Sequence, residues 1–363
     1  MTLRSLQLLD TRNYTHAHVE FGEGLHAFIG RNAQGKTNLL EALAVCLTGA
    51  SFRSHHLQDL IREQAERAWI ELHYTQASIE QTTRILIEPV QKSAWLNQTK
   101  AASLQQLLGI LPCVVVQPQD LDLVRGDPQT RRHFMDLLLT QSDPLYGHHL
   151  ARYRRSLKQR NHLLKMRQLE TCEIWEAEMG RSGEYLIQHR LQLLEQIQQA
   201  TAQLLVQMTG CQESFTCTLR SCVSTSENIQ EALRSAWKRQ RLREMEIGQT
   251  LTGPHREDFT LFLQGREARS YASEGQARSI AAALRLAEWG LLKERSGKAP
   301  ILCVDDIGLS LDAERCRRLW SLLRDIPQVI CTAPHLEAID PALRPDRIYW
   351  VDGGTVQASE HTQ

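Results

Sequence analysis

A glycine-rich octapeptide near one end of this chain and a pair of aspartates near the other have to meet in space, and that requirement dictates the fold. Gly30-Arg31-Asn32-Ala33-Gln34-Gly35-Lys36-Thr37 fits G-x-x-x-x-G-K-[ST]. It stands between an apolar run at 25–29 and a helical pattern that begins at Thr37, which is the strand, loop and helix context the motif requires. The glycines let backbone N–H groups curl around phosphate oxygens and the helix N-terminus adds partial positive charge; Lys36 reaches the β and γ phosphates and Thr37 ligates Mg²⁺. Ile301-Leu302-Cys303-Val304-Asp305-Asp306 is the matching acidic element, four apolar residues ending in two carboxylates. Like charges paired at the end of a buried strand raise one another's pKa unless a cation joins them. Asp305 is therefore expected to hold magnesium, and Asp306 to act as general base on the attacking water. Thr37 and Asp305 lie 268 positions apart yet share one cation. The central sheet is assembled from both chain ends, and the middle is an insertion.

At 363 residues the chain has length for about two domains. Alternation predicts strands at 3–9, 16–21 and 25–29, a helix from 37 stopped by Gly49, then strands at 68–74, 83–87 and 111–116. Asp127-Pro128 and Asp143-Pro144 each put a capping carboxylate before a proline at a first helical position. Helices are expected at 128–140, 144–167, 171–209 with a break near 180–183, and 227–245. The runs 259–263 and 268–271, joined across Gln264-Gly265, predict a hairpin. A helix at 276–293 precedes apolar strands at 301–304 and 329–332, whose lack of alternation suits strands buried on both faces. The sum is an α/β fold: a P-loop ATPase head with its N-terminal part at 1–118, a helical inserted lobe at 119–248, and its C-terminal part at 249–363.

Ser273-Glu274-Gly275-Gln276 opens a helix and resembles the S-x-G-Q signature of ABC-type ATPases. It precedes Asp305, and Ser310-Leu311-Asp312, where this class carries its D-loop, follows. In that class two subunits face head to tail, so the resemblance implies that Ser273, Gly275 and Gln276 act on the partner's γ-phosphate. The order of these motifs around a helical insertion is similar to the head of chromosome-maintenance ATPases, and the details resemble the RecF family. The matching residues are Asn32, Gln34, Asn38, Leu39, Leu40, Glu41 and Ala42 around the loop; Leu121, Gly126, Pro128, Arg131, Arg132 and Asp136; the run 157–161; and Gly253-Pro254-His255-Arg256. The resemblance spans nearly the whole chain. It implies an ATP-switched homodimer that binds single-stranded, gapped or junction DNA in recombinational repair, helps load recombinase with RecO and RecR, and contributes to the SOS response. It also puts Asp312 in the D-loop and Thr332 at the family's polar switch position, with His335 a surface histidine. Gln117 and Gln119 are the two candidates for the Q-loop residue. Ser310 stands where the family's D-loop usually has glutamate. Asp306 is one methylene shorter than the glutamate usual in transporters, and the expectation is a weak ATPase in which hydrolysis times release of DNA.

Lys plus Arg and Asp plus Glu are both 42, so any nucleic-acid surface has to be local. Between 151 and 168 there are seven basic residues and no acidic one: Arg152, Arg154, Arg155, Lys158, Arg160, Lys165 and Arg167. On a helix Tyr153, Leu157 and Leu164 would share the buried side, leaving Arg154, Arg155, Lys158 and Lys165 mostly outward; these and Arg152 are the candidate contacts to DNA phosphates. Lys238, Arg239, Arg241 and Arg243 form a second cluster, expected at a helix end where cations favour the dipole. Few aromatic residues lie within these clusters, which favours backbone contact over base contact. Nine scattered cysteines without paired C-x-x-C knuckles read as reduced thiols of a cytoplasmic protein. No apolar run is long enough for a membrane span. A chromosome-organising tether would need a far longer arm, a transporter subunit a shorter middle, and a nuclease-paired ATPase a partner carrying the second carboxylate cluster.

Overall fold

The computed structural model describes residues 2–54, 56–168, 170–225, 228–306, 312–339 and 344–359. The chain opens with β1 (Thr2–Thr11), β2 (Tyr14–Glu20), β3 (Gly24–Ile29), α1 (Lys36–Thr48), β4 (Ala68–Gln76), β5 (Ile79–Ile87), β6 (Lys92–Leu96), β7 (Thr99–Lys100) and β8 (Cys113–Val116). A mainly helical stretch follows, with α2 (Leu121–Arg125), α3 (Pro128–Ser142), α4 (Pro144–Met166), α5 (Cys172–Thr209), β9 (Phe215–Arg220), α6 (Ile229–Ile247), β10 (Asp258–Leu263), β11 (Arg266–Glu267) and α7 (Ala268–Tyr271). It closes with α8 (Glu274–Ser296), β12 (Ile301–Val304), α9 (Ala313–Leu323), β13 (Gln328–Ala333), β14 (Arg347–Asp352) and β15 (Thr355–Ala358). Two compact units result, one of residues 1–120, 204–211 and 274–363, the other of 121–203 and 212–273. The stretch 249–273 belongs to the second.

The first unit holds two six-stranded sheets. One is antiparallel, in the order β2-β1-β4-β5-β6-β7; the other runs β15-β14-β3-β13-β12-β8 and is parallel except for β15. In the parallel sheet the strands from the N-terminal part, β3 and β8, interleave with β12, β13 and β14 from the far end. Helix α1 is apolar around most of its circumference, the pattern of a helix buried on all sides. Its Leu39, Leu40, Leu43 and Val45 are fully buried in one core with β1, β4, β5, β12 and β13. Each such side chain contributes about 1.5–3 kcal/mol of burial, and together they fix the helix that presents Lys36 and Thr37. Gln328 at the start of β13 is buried; its amide accepts from Leu3 N and donates to the carbonyls of Leu3 and Gly22, tying β13 to β1.

The second unit packs α2–α7 with a three-stranded sheet, β11-β10-β9. Two expectations fail here. Residues 268–271 form the helical turn α7 instead of a strand: Ala272 N closes onto Ala268 O, and the hairpin partner of β10 is the shorter β11. Helix α5 runs unbroken through Gly180 and Gly183. A Cβ at Gly180 would stand 3.0 Å from Gln230 Cγ, and one at Gly183 would stand 2.9 Å from Leu233 Cδ1. The missing side chains admit α6 close to α5, and the backbone ladder needs no interruption.

Buried arginines organise this unit. Arg190 donates to Asp136, Glu257, Tyr146 and the carbonyl of Pro254, and Arg160 pairs with Glu176 and Glu244 and donates to Thr250. The Gly-Pro-His-Arg segment joins the same scaffold. Tyr153 Oη and His255 Nδ1 are 2.7 Å apart, and burial pushes His255 down to about 4, which keeps the ring neutral at physiological pH. No helix among the described residues is long and apolar enough to cross a membrane.

Candidate nucleotide site

Strand β3 delivers the loop and α1 receives it. Gly30 lies against the neighbouring strand, where a Cβ would stand 2.2 Å from the carbonyl oxygen of Val351. Gly35 has φ +122°, a conformation that side chains rarely adopt, and a Cβ there would also meet Asn13 at 2.6 Å. The carbonyl of Gln34 accepts from Asn13 Nδ2 at 2.9 Å and from Gly354 N at 3.1 Å, and that of Gly35 accepts from the Tyr14 hydroxyl at 3.0 Å. A trans peptide points its N–H opposite to its C=O. Pinning these two carbonyls outward therefore turns the N–H groups of Gly35 and Lys36 into the concave side of the loop. Gly353 N also donates to Gln34 Oε1 at 2.7 Å. None of these braces lies inside the octapeptide, and sequence spacing carries no sign of them.

Lys36 Nζ bridges the carbonyls of Gly30 and Arg31 at 2.7 and 2.9 Å. Burial lowers its pKa, with Asp306 and Asp305 pulling the other way. Thr37 Oγ1 donates to Asp305 Oδ1 at 2.9 Å, and Thr332 Oγ1 donates to the same oxygen at 2.8 Å. Thr332 Oγ1 in turn accepts from Asp306 N at 2.8 Å. The structure thus brings together Lys36, Thr37, Asp305, Asp306 and Thr332 from α1, the end of β12 and β13. Asp306 has φ +51°, and its Oδ1 is buried without a hydrogen-bond partner. A polar atom so placed is costly, and a water or ligand group on it would remove that cost. Arg31, Asn32, Ala33 and Gln34 form the rest of the loop, with Ala33 at φ +65°. An all-oxygen pair, Thr37 hydroxyl with Asp305 carboxylate, suits a hard cation, so the residues present fit Mg²⁺.

Burial raises the Asp305 pKa; hydrogen bonds from Thr332 and Thr37 offset part of this, Asp306 adds to it and Arg53 lowers it. The folded chain therefore binds the Asp305 proton more tightly than the unfolded chain, so this group's contribution to stability falls as pH rises from the ordinary value of 3.8 through the raised one. Cation binding runs the other way, because it needs the carboxylate. Magnesium-dependent nucleotide affinity is expected to fail on acidification at a higher pH than an exposed aspartate would give, and Asp305→Asn should abolish that pH dependence. Calorimetric titration of Mg-nucleotide across pH checks this; a midpoint at or below the ordinary carboxylate value would contradict it.

Val116 pairs with Val304, and Asp305 N donates to Val116 O. Gln117 is therefore the residue level with the acidic pair, while Gln119 lies on an exposed turn. Gln117 N donates to Asp120, which is held by Arg285 of α8 at 2.7 Å. Farther along α8, Trp289 donates to Pro300 O at the opposite edge of the sheet. Gly275 precedes Arg285 by ten residues, about 15 Å at the helical rise. The amino end of α8, with Gly275 and Gln276, thus projects beyond the sheet's carboxyl edge, and Ser273 immediately precedes it. A Cβ on Gly275 would meet Arg315 Nη1 at 2.7 Å, and Arg315 Nε pairs with Asp312 at 3.3 Å. Arg315 is a residue that sequence reasoning missed; it links Asp312, the N-cap of α9, to the start of α8. Ser310 lies outside the described residues. His335 is exposed, two residues past the end of β13.

The basic run lies on α4, and the structure corrects its account. Arg160 is fully buried and cannot reach a ligand, and Leu157 is half-buried while Ser156 takes a place on the inner face. Arg152 pairs with Glu178 and Arg154 with Asp136, whereas Arg155, Lys158 and Lys165 are exposed without an acidic partner among the described residues. The second cluster is also corrected: α6 continues to Ile247 and its last turn holds no basic residue, so the dipole does not account for it.

A family model described as the RecF/RecN/SMC N terminal domain matches residues 2–357. A DNA replication and repair protein RecF from Protochlamydia amoebophila is 42% identical over 94% of this chain and 96% of its own length. One from Geobacillus kaustophilus is 34% identical over 99% of this chain and 100% of its own. Among solved structures, a recombination mediator protein RecF with ATP, described as part of the RecFOR pathway, superposes with TM-score 0.91 at 26% identity, covering 99% of this chain and 98% of that one. An Smc head domain from Pyrococcus furiosus, TM-score 0.57 at 18% identity over 99% of this chain and 96% of its own, shares the fold.

Proposed function

The chain belongs to the RecF family, and on that premise we propose that it is an ATP-gated DNA-binding protein of recombinational repair and replication-gap processing, acting in the cytoplasm. Its DNA is single-stranded, gapped or junction DNA, and its partners are recombination mediators of the RecO and RecR type in recombinase loading and the SOS response. The observation that carries the nucleotide half is the shared Asp305 oxygen, on which Thr37 and Thr332 converge from opposite ends of the chain. Lys36 and the inward N–H groups of the loop bind phosphates, and Thr37 with Asp305 would hold Mg²⁺, which would neutralise phosphate charge. Asp306, aided by Thr332 through its backbone N–H, takes the proton of the attacking water. Gln117 senses the nucleotide from the end of β8.

The projection of Gly275 beyond its own sheet supports a second subunit as the place where Ser273, Gly275 and Gln276 act, with Asp312 beside them. Two subunits then close two nucleotide sites, and hydrolysis opens the dimer. Arg155, Lys158 and Lys165, with Arg152 and Arg154 as ion-paired neighbours, give the DNA surface. Fluorescence anisotropy of labelled gapped DNA, with ATP, with ADP and without nucleotide, tests the reading. Tight binding only with ATP, lost in Lys36→Met together with the ATP-dependent dimer seen by light scattering, is expected. Three phosphate contacts would also cost about one and a half decades of affinity between roughly 50 and 200 mM salt. Nucleotide-independent binding, or none, would overturn it.

A further inference from the structure

We propose that Asn38 is a positioning residue for the phosphate-binding loop, acting through Asn13 as the middle link of a hydrogen-bonded relay whose direction Arg53 fixes; this rests on the nucleotide-binding reading above. Asn38 and Glu41, three residues apart on α1, share one face of that helix and have no part in the phosphate and magnesium chemistry described so far. Arg53 Nη1 donates to Asn38 Oδ1 at 2.7 Å, Asn38 Nδ2 donates to Asn13 Oδ1 at 2.8 Å, and Asn13 Nδ2 donates to the Gln34 carbonyl at 2.9 Å. A carboxamide has one accepting end and one donating end, whereas a guanidinium only donates. Arg53 therefore decides which end of Asn38 faces it. The donating end is left for Asn13, and Asn13 is left with its own donating end toward Gln34. Reversing Asn13 alone would set oxygen against oxygen at Gln34 and N–H against N–H at Asn38.

Both ends of the relay are held. Glu41 is fully buried; it accepts two bonds from Arg12, at 2.8 and 2.9 Å, and one from the Ser51 hydroxyl at 2.5 Å, and it lies 3.6 Å from Arg53 Nη1. Ser51 Oγ also accepts from the backbone N–H groups of Arg53 and Ser54, so the turn that carries Arg53 is closed on the same carboxylate. At the far end the Asn13 amide lies against Gly35, the residue whose N–H turns inward when the Gln34 carbonyl is pinned outward. A donor-only cation outside the octapeptide thereby sets the direction of a peptide inside it, through two side chains that touch no phosphate. Gly354 N shares the Gln34 carbonyl at 3.1 Å, so losing the relay weakens the loop without dismantling it.

Calorimetric titration of the full chain with MgATP tests this in the wild type, in Asn13→Ala, and in Asn38→Ala and Asn38→Asp, each made alone and on the Asn13→Ala background. Asn38→Ala is expected to weaken ATP binding about 2- to 12-fold, the range for one hydrogen bond. On the Asn13→Ala background it should have no further effect, because a residue that acts through Asn13 then has nothing to act on. Asn38→Asp keeps an acceptor for Arg53 but offers Asn13 a second acceptor, so Asn13 turns its own oxygen toward Gln34; the loss should exceed that of Asn38→Ala. The added charge persists on the Asn13→Ala background, so the penalty that remains there belongs to charge and the part that vanishes belongs to the relay. Thermal unfolding without nucleotide should give the reverse order. A carboxylate in the first turn of α1 suits the helix dipole, and Asn38→Asp should unfold no earlier than Asn38→Ala. Wild-type affinity in Asn38→Ala would overturn the relay, as would penalties of either Asn38 variant that are undiminished on the Asn13→Ala background. A wild-type chain that does not bind MgATP overturns the nucleotide-binding reading itself.

Discussion

Asp306→Asn is expected to slow ATP hydrolysis about 10²- to 10⁴-fold, the usual contribution of a positioned general base, while leaving ATP binding and the ATP-dependent dimer intact. The substitution isolates chemistry from backbone. At φ +51° an asparagine is tolerated nearly as well as aspartate, whereas most residues are strained. The backbone N–H that donates to Thr332 survives, so Asp305 keeps its partner and the cation ligands stay in place. What changes is the buried Oδ1 edge of residue 306, which has no protein partner to disguise the loss of its charge. Phosphate release and light scattering on the same sample give the result: a dimer that forms with ATP and persists for as long as ATP remains. Unchanged phosphate release would remove Asp306 from the role of base, and a dimer that dissociates at the wild-type rate would uncouple hydrolysis from opening.

Arg190→Met should cost about 3–5 kcal/mol of stability, the usual penalty for stripping one partner from a buried ion pair. Burial opposes the charge on Arg190, but Tyr146, Asp136 and Glu257 outweigh that and hold its pKa well above the ordinary guanidinium value. Methionine fills much of the volume and supplies none of the four hydrogen bonds, leaving Glu257 buried without its cation and Asp136 with only the exposed Arg154. Arg154→Met is the internal control, because Arg154 pairs with the same Asp136 from a position 59% exposed. Exposed pairs contribute about 0.2–1 kcal/mol. Chemical denaturation of both variants checks the contrast, and equal losses would contradict it. The deficit of Arg190→Met should also shrink on acidification: burial already raises the Glu257 pKa against the opposing pull of Arg190. Once the arginine is gone that carboxyl takes up a proton more readily still, which removes the unpaired charge.

What was legible in the sequence was whatever chemistry confines to a short run. The octapeptide, the Ile301–Val304 strand and its two aspartates, and the proline-marked starts of α3 and α4 carry their own reasons, and the structure has them where the pattern puts them. The supports of the loop were not legible. Asn13, Tyr14 and Gly354 donate to backbone carbonyls, which leave no trace in residue type, and Gly353 donates to the Gln34 side chain from the far end of the chain. The same limit explains the errors. Glycines at 180 and 183 look like a helix break until α6 is packed against them, and nothing in the basic run marks Arg160 as the member that Glu176 and Glu244 surround.

The hairpin that braces Gln34 has a consequence for how the protein is made. Gly354 leaves the ribosome 317 residues after Thr37, about 15–60 s later at ordinary rates of synthesis. Throughout that interval the nascent chain carries the whole phosphate-binding octapeptide without the strand that Gly30 abuts or the amides that orient Gln34. Residues 121–203 and 212–273 form a unit of their own and are complete before β14 is made. A product truncated before β14 lacks the strand that Gly30 abuts and both amides that hold Gln34, so its octapeptide is expected to grip nucleotide poorly.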